Sequence, residues 1–231
     1  MSLEKNKSGV KGRIRDICKR IGRNPEEITL IAVSKTFPIS TIMELNQSGQ
    51  VDFGENKVQE LRDKYYHIPF LQSGKINWHM IGHLQTNKVK DVIAFIYLIQ
   101  SVDSLKLAEE IDVNAKKINK VIDILVQVNT SAEEQKYGVS VSDAKNLCRQ
   151  ISLLGNVKVK GLMTMAKLTE DLEEIRQSFK ALKNLYDDLK KDFKSFEHLS
   201  MGMTNDYEIA LEEGATMLRI GSAIFGERSI N

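Results

Sequence analysis

At 231 residues, with 42% hydrophobic and 28% charged side chains, the chain has the size and balance of a globular protein able to bury a sizeable core. Its 33 basic and 31 acidic residues leave a formal charge of only +2, which argues against nucleic acid as a partner. Cys18 and Cys148 lie far apart without metal-ligand spacing, and the polar N-terminus has no signal-peptide or membrane-span pattern, so the chain reads as a reduced, cytoplasmic protein.

A basic helix is predicted over 6–21, with Val10, Ile14, Ile17, Cys18 and Ile21 on one side. Residues 28–35 follow as the first strand, a branched apolar run that ends on Lys35. Alternation puts Thr29, Ile31, Val33 and Lys35 on one face. In apolar company an amine loses its proton more easily and can attack a carbonyl, which makes Lys35 a candidate Schiff-base lysine. The alternative is a lysine that reaches solvent from a strand end.

Pro38 and Ser40 start a helix bearing Ile42, Met43 and Leu45 that stops near Gly49. The second strand is 51–56, the next helix carries Val58, Leu61 and Tyr65, and after a polar loop the third strand is 76–82. Residues 87–93 read as helical. Strand four, 96–102, leads through a cap at Asp103 or Ser104 into a helix with Leu105, Ala108, Ile111 and Ala115. Strand five, 121–128, is almost continuously apolar, as a parallel strand covered on both sides should be. The helix from Ser142 carries one stripe, Ala144, Leu147, Cys148 and Ile151, and strand six is 157–165. A long helix then bears Leu172, Ile175, Phe179, Leu182, Tyr186 and Leu189, a face better suited to a sheet than to a coiled coil of so few heptads. Strand seven is 198–204, a short helix spans 206–213 before Gly214, and strand eight is 217–220.

Strands that alternate with helices, without a low-complexity linker, predict parallel pairing in one domain over 1–231. The fold class is α/β, a (β/α)8 TIM-type barrel with an extra N-terminal helix. An open doubly wound sheet is the alternative, disfavoured because no GxGxxG turn follows strand one.

Barrel active sites gather at the C-terminal ends of strands. The polar residues there are Lys35; Glu55 and Asn56; His79 and His83; Asn129 and Thr130; Thr164; Ser200, Thr204, Asn205 and Asp206; and Arg219, Gly221 and Ser222. The last two groups follow strands seven and eight, the usual place of a barrel phosphate site. Ser200 and Ser222 offer hydroxyls, Gly202 and Gly221 let backbone amides approach an anion, and Arg219 can contact a phosphate or a ring nitrogen. Tight turns are the other reading of these glycines. His79 and His83 have no glutamate after His79 and span a strand end at Gly82, so packing or a hydrogen bond is preferred to a metal site. A lysine and an anion site across one barrel mouth fit two classes: a class I aldolase acting on a sugar phosphate, or a pocket for pyridoxal phosphate.

Seven blocks in order, 30–35 (LIAVSK), 53–60 (FGENKVQE), 78–88 (WHMIGHLQTNK), 127–139 (QVNTSAEEQKYGV), 161–165 (GLMTM), 199–204 (LSMGMT) and 219–226 (RIGSAIFG), carry a resemblance to the pyridoxal phosphate homeostasis proteins, the YggS or PROSC family. The resemblance implies a barrel similar to the N-terminal domain of alanine racemases, with pyridoxal phosphate as a Schiff base on Lys35. It implies Ser200, Gly221 and Ser222 on the phosphate, Arg219 at the pyridine nitrogen and Asn56 in the pocket, with no catalytic residue and no metal. Lys57 departs from the tyrosine found in many members. Alanine racemases draw a catalytic tyrosine and dimer contacts from a second domain, and only 227–231 follow Gly226 here. The implied role is therefore vitamin B6 homeostasis by a monomeric carrier that is not an enzyme and serves apo-enzymes as recipients. A minimal racemase or lyase acting on an amino acid is the alternative.

Overall fold

The computed structural model describes residues 2–68, 74–131, 133, 135 and 137–226. The predicted loop residues 69–73, residues 132, 134 and 136 of the fourth sequence block, and the terminal 227–231 lie outside the described residues.

Helix α1, Leu3–Arg20, starts three residues before the predicted helix because the Ser2 side chain accepts a hydrogen bond from Lys5 N and caps it. Its buried face holds Val10, Ile14, Ile17 and Cys18, as the spacing required, together with Lys7, while Ile21 falls at the C-cap and is only partly buried. A 3₁₀ turn, Pro25–Glu27, leads into strand β1, Thr29–Val33. Helix α2, Ile39–Gln47, strand β2, Asp52–Glu55, helix α3, Val58–His67, and strand β3, Asn77–Met80, follow.

The segment predicted as a helix over 87–93 is instead a 3₁₀ helix, Thr86–Asp91. Val89 and Val92, both buried, are three residues apart, a spacing that the tighter coil places on one side.

Strand β4, Leu98–Val102, helix α4, Leu105–Lys117, and strand β5, Ile122–Asn129, continue the alternation. A two-residue strand β6, Val139–Ser140, which the sequence did not announce, pairs with the end of β5 and precedes helix α5, Val141–Ile151. Strand β7 is Val157–Met163, and helix α6, Leu172–Asp192, buries Ile175, Phe179, Leu182, Tyr186 and Leu189 against the sheet. Each such side chain contributes about 1.5–3 kcal/mol. Leu172, the first residue of the predicted stripe, is exposed at the helix start. Strand β8, His198–Ser200, helix α7, Tyr207–Glu212, strand β9, Met217–Ile220, and helix α8, Ser222–Phe225, complete the described chain.

The strands pair in the order β4-β3-β2-β1-β9-β8-β7-β5, every pair parallel, and β4 pairs with β5 to close the barrel. Most of the core lies between strands and helices. Inside the barrel, Ile31, Leu98, Leu125, Met163 and Met217 form an apolar plug. Among the described residues, no helix is long and apolar enough to cross a membrane.

Candidate functional site

A cavity of about 590 Å³ opens at the C-terminal ends of the strands. Lys35, Asn56, Arg219, Gly221 and Ser222 line it, together with Val33, Ile81, Met165, Thr204 and Asp206. Five of the six predicted site residues therefore face one space. The sixth, Ser200, does not line the cavity. It is fully buried. In register, Ser200 stands beside Met163 on one side and Met217 on the other, the two methionines of the plug, so strand alternation turns it into the barrel interior.

Ser200 instead belongs to a hydrogen-bonded chain that crosses the interior. Arg219 Nη1 donates to Ser200 Oγ at 2.6 Å, and a guanidinium has only donors, so the Ser200 hydroxyl passes its proton onward. It donates to Gln100 Oε1 at 2.7 Å. That leaves the Gln100 amide nitrogen for His79 Nδ1, 3.0 Å away, which must accept. His79 is thus the neutral tautomer with its proton on Nε2, which donates to Asp52 Oδ1 at 3.1 Å. Asn77 Nδ2 adds a second donor to the same oxygen at 2.9 Å. Burial opposes the Asp52 carboxylate, yet the bonds from His79 and Asn77 outweigh it and hold its pKa below the usual value.

Arg219 anchors the cavity end of this chain. It pairs in register with Ile31, which directs it inward, and its second amino group donates to Thr164 O at 2.7 Å. Only 4% of Arg219 is exposed. Burial pulls its pKa down to about 10, with Asp206 acting in the opposite sense, and the group remains a cation at neutral pH. A buried cation bordering a cavity favours an electron-rich partner there.

Local backbone places the other lining groups. A methyl group on Gly82 would sit 2.3 Å from Asn56 O, so only glycine lets the loop after β3 pass beneath the loop after β2 and leaves Asn56 at the cavity edge. Gly202, expected as an amide donor, is buried at φ +95, where a Cβ would meet that of Ala210 at 2.6 Å. Beyond β8 the chain still runs beside β9, with Arg219 N donating to Gly202 O, and the turn into α7 that starts at Thr204 leaves this residue on the cavity wall. Gly221 is different. A Cβ there would make only ordinary contact with Val33, at 3.6 Å or more, so the room that its missing side chain leaves belongs to the cavity. His79 lies in the interior chain, and His83 stacks on Tyr137 with ring centroids 4.1 Å apart.

An amine, a buried guanidinium, two hydroxyls and glycine backbone around an apolar floor suit a small, planar, anionic carbonyl compound. The sequence pattern had collected Thr204 without selecting it. Gln100 was legible only as a polar residue inside the apolar run 96–102.

Known proteins share the sequence and the fold. The family model for the alanine racemase N-terminal domain matches residues 9–229. A pyridoxal phosphate homeostasis protein of Aquifex aeolicus is 44% identical over 96% of this chain and 96% of its own. One from Escherichia coli is 36% identical over 96% of this chain and 95% of its own. The structure of PipY from Synechococcus elongatus, solved with pyridoxal phosphate bound, superposes with a TM-score of 0.83 at 30% identity, covering 97% of this chain and all of that one (100%). The chain belongs to the pyridoxal phosphate homeostasis proteins, a family built on the alanine racemase N-terminal domain.

Proposed function

We propose that the chain binds pyridoxal phosphate in the cavity and serves intracellular vitamin B6 homeostasis as a monomeric carrier, passing the cofactor to apo-enzymes without efficient turnover of its own. The observation that carries this reading is the pairing of Lys35 with the buried cation of Arg219 on the walls of one cavity. The names of the relatives and the bound cofactor of PipY support it.

When bound, pyridoxal phosphate supplies an aldehyde that amines capture reversibly and a ring that withdraws electrons. Lys35 supplies the amine. Arg219 has only N–H groups to offer, so a ring nitrogen facing it stays an acceptor and withdraws electrons less strongly than one facing a carboxylate. The interior chain fixes the direction of that guanidinium. Ser222, the backbone at Gly221 and, in place of Ser200, the hydroxyl of Thr204 would hold the phosphate, and Asn56 would complete the pocket wall.

Addition of pyridoxal phosphate to the wild-type protein should produce a visible absorption band that borohydride abolishes, leaving a reduced cofactor adduct on the Lys35 peptide by mass spectrometry. Lys35→Ala should yield neither. A wild type that never acquires the band would overturn the assignment and favour a sugar-phosphate aldolase. Rapid exchange of an amino acid's Cα proton with solvent deuterium would instead favour the minimal racemase or lyase.

A further inference from the structure

Lys35 is flanked by two peptides that one helix holds. Thr36, the next residue, has φ +71, a left-handed conformation that a β-branched side chain rarely adopts. Its N–H donates to Glu60 Oε1 at 2.5 Å. On the other side, Lys64 Nζ donates to Ser34 O at 2.8 Å, and the Ser34 hydroxyl donates to Glu55 Oε1 at 2.6 Å. Lys64 joins the two halves, donating also to Glu55 Oε1 at 2.7 Å and to Glu60 Oε1 at 2.6 Å. Its three N–H groups are thereby all used. The Lys64 and Glu55 side chains are 7% and 0% exposed, so water competes little for these bonds. Glu60 and Lys64 stand four residues apart on α3, one turn of one helix face.

A backbone held against its own preference at a functional lysine requires surroundings that over-determine it. We propose that Glu60 and Lys64 are positioning residues: from α3 they grip the peptides before and after Lys35, lock Thr36 in the left-handed region, and so aim the Lys35 amine into the cavity beside Arg219. Neither residue lies on the reaction path. The inference rests on the proposed role of Lys35.

The test uses Glu60, because removal of Lys64 would strand the buried Glu55 carboxylate and endanger folding. The rate at which the Lys35-linked absorption band appears on adding pyridoxal phosphate is measured for wild type, Glu60→Gln, Glu60→Ala and Glu60→Ala combined with Thr36→Gly, alongside the melting temperature of each protein freed of cofactor. Glu60→Gln keeps an acceptor for Thr36 N–H and should stay within about threefold of wild type, whereas Glu60→Ala should be slower by roughly tenfold or more. Thr36→Gly removes the conformational penalty and should restore most of the rate in the Glu60→Ala background without restoring its melting temperature. Rates that follow melting temperature across the series, or a Glu60→Ala rate equal to wild type, would overturn the proposal. Failure of the wild type to form the band would instead refute the role of Lys35 itself.

Discussion

The Arg219 guanidinium holds the Ser200 hydroxyl at 2.6 Å and keeps it inside the barrel. The two residues that the family resemblance placed on opposite ends of one ligand are partners of each other. Ser200→Ala should therefore leave Arg219 Nη1 and Gln100 Oε1 without their shared partner and cost about 1–3 kcal/mol of stability. It should not alter the preference for pyridoxal phosphate over pyridoxal. Ser222→Ala and Thr204→Ala should each reduce that preference with little loss of stability. Dissociation constants for both compounds, with urea denaturation of the same variants, separate the two kinds of effect.

The interior chain ends on Asp52, whose folded-state pKa lies below its unfolded value of about 3.9. A carboxylate of this kind contributes stability that is present above the unfolded pKa and is lost as pH falls through the folded one. Asp52→Asn should therefore be less stable than wild type at pH 7, and the difference should shrink as pH is lowered past about 4. Chemical denaturation of both proteins at a series of pH values checks the sign. A difference that grows on acidification would contradict it.

Cys148 is fully buried, and burial pushes its thiol up to about 12. Cys18 is buried as well, and desolvation raises its pKa too. The thiolate is the reactive species. Neither cysteine should react with a disulfide reagent at pH 8 in the native protein, and both should react at once in denaturant. Prompt labelling of the folded protein would show that α1 or α5 opens readily.

Gly82→Ala should force apart the loops after β2 and β3, since its methyl would fall 2.3 Å from Asn56 O. A clash with backbone cannot be relieved by a rotamer change, and a loss of about 1–3 kcal/mol is expected. Cofactor affinity should fall together with stability, because Asn56 moves with the displaced peptide. Thermal melting and a binding titration on the same sample provide the check.

The eight barrel strands were legible because parallel strands covered on both faces leave short, nearly continuous apolar runs, of which Ile124 to Val128 is the clearest. Lys35 and Arg219 stood out for the same reason, as cations that interrupt such runs. What the pattern could not convey was depth. The predicted strand 198–204 ends at Ser200, and Thr204 already belongs to the turn into α7 and lines the cavity, so two hydroxyl residues four positions apart lie at different levels of the barrel. Periodicity assigns a face; it does not say how far along the axis a residue sits. Glu55 stood out at its strand end, but its junction with Glu60 and Lys64 was hidden, because on the next helix those two look like ordinary solvated charges in the sequence.

The bonds that hold the peptides on either side of Lys35 join side chains of one helix to the backbone of the strand end. Glu60, Lys64 and Glu55 supply every partner in that grip from the protein itself. For the carrier proposed above, such a grip would keep the lysine in one aim before and after each exchange of ligand.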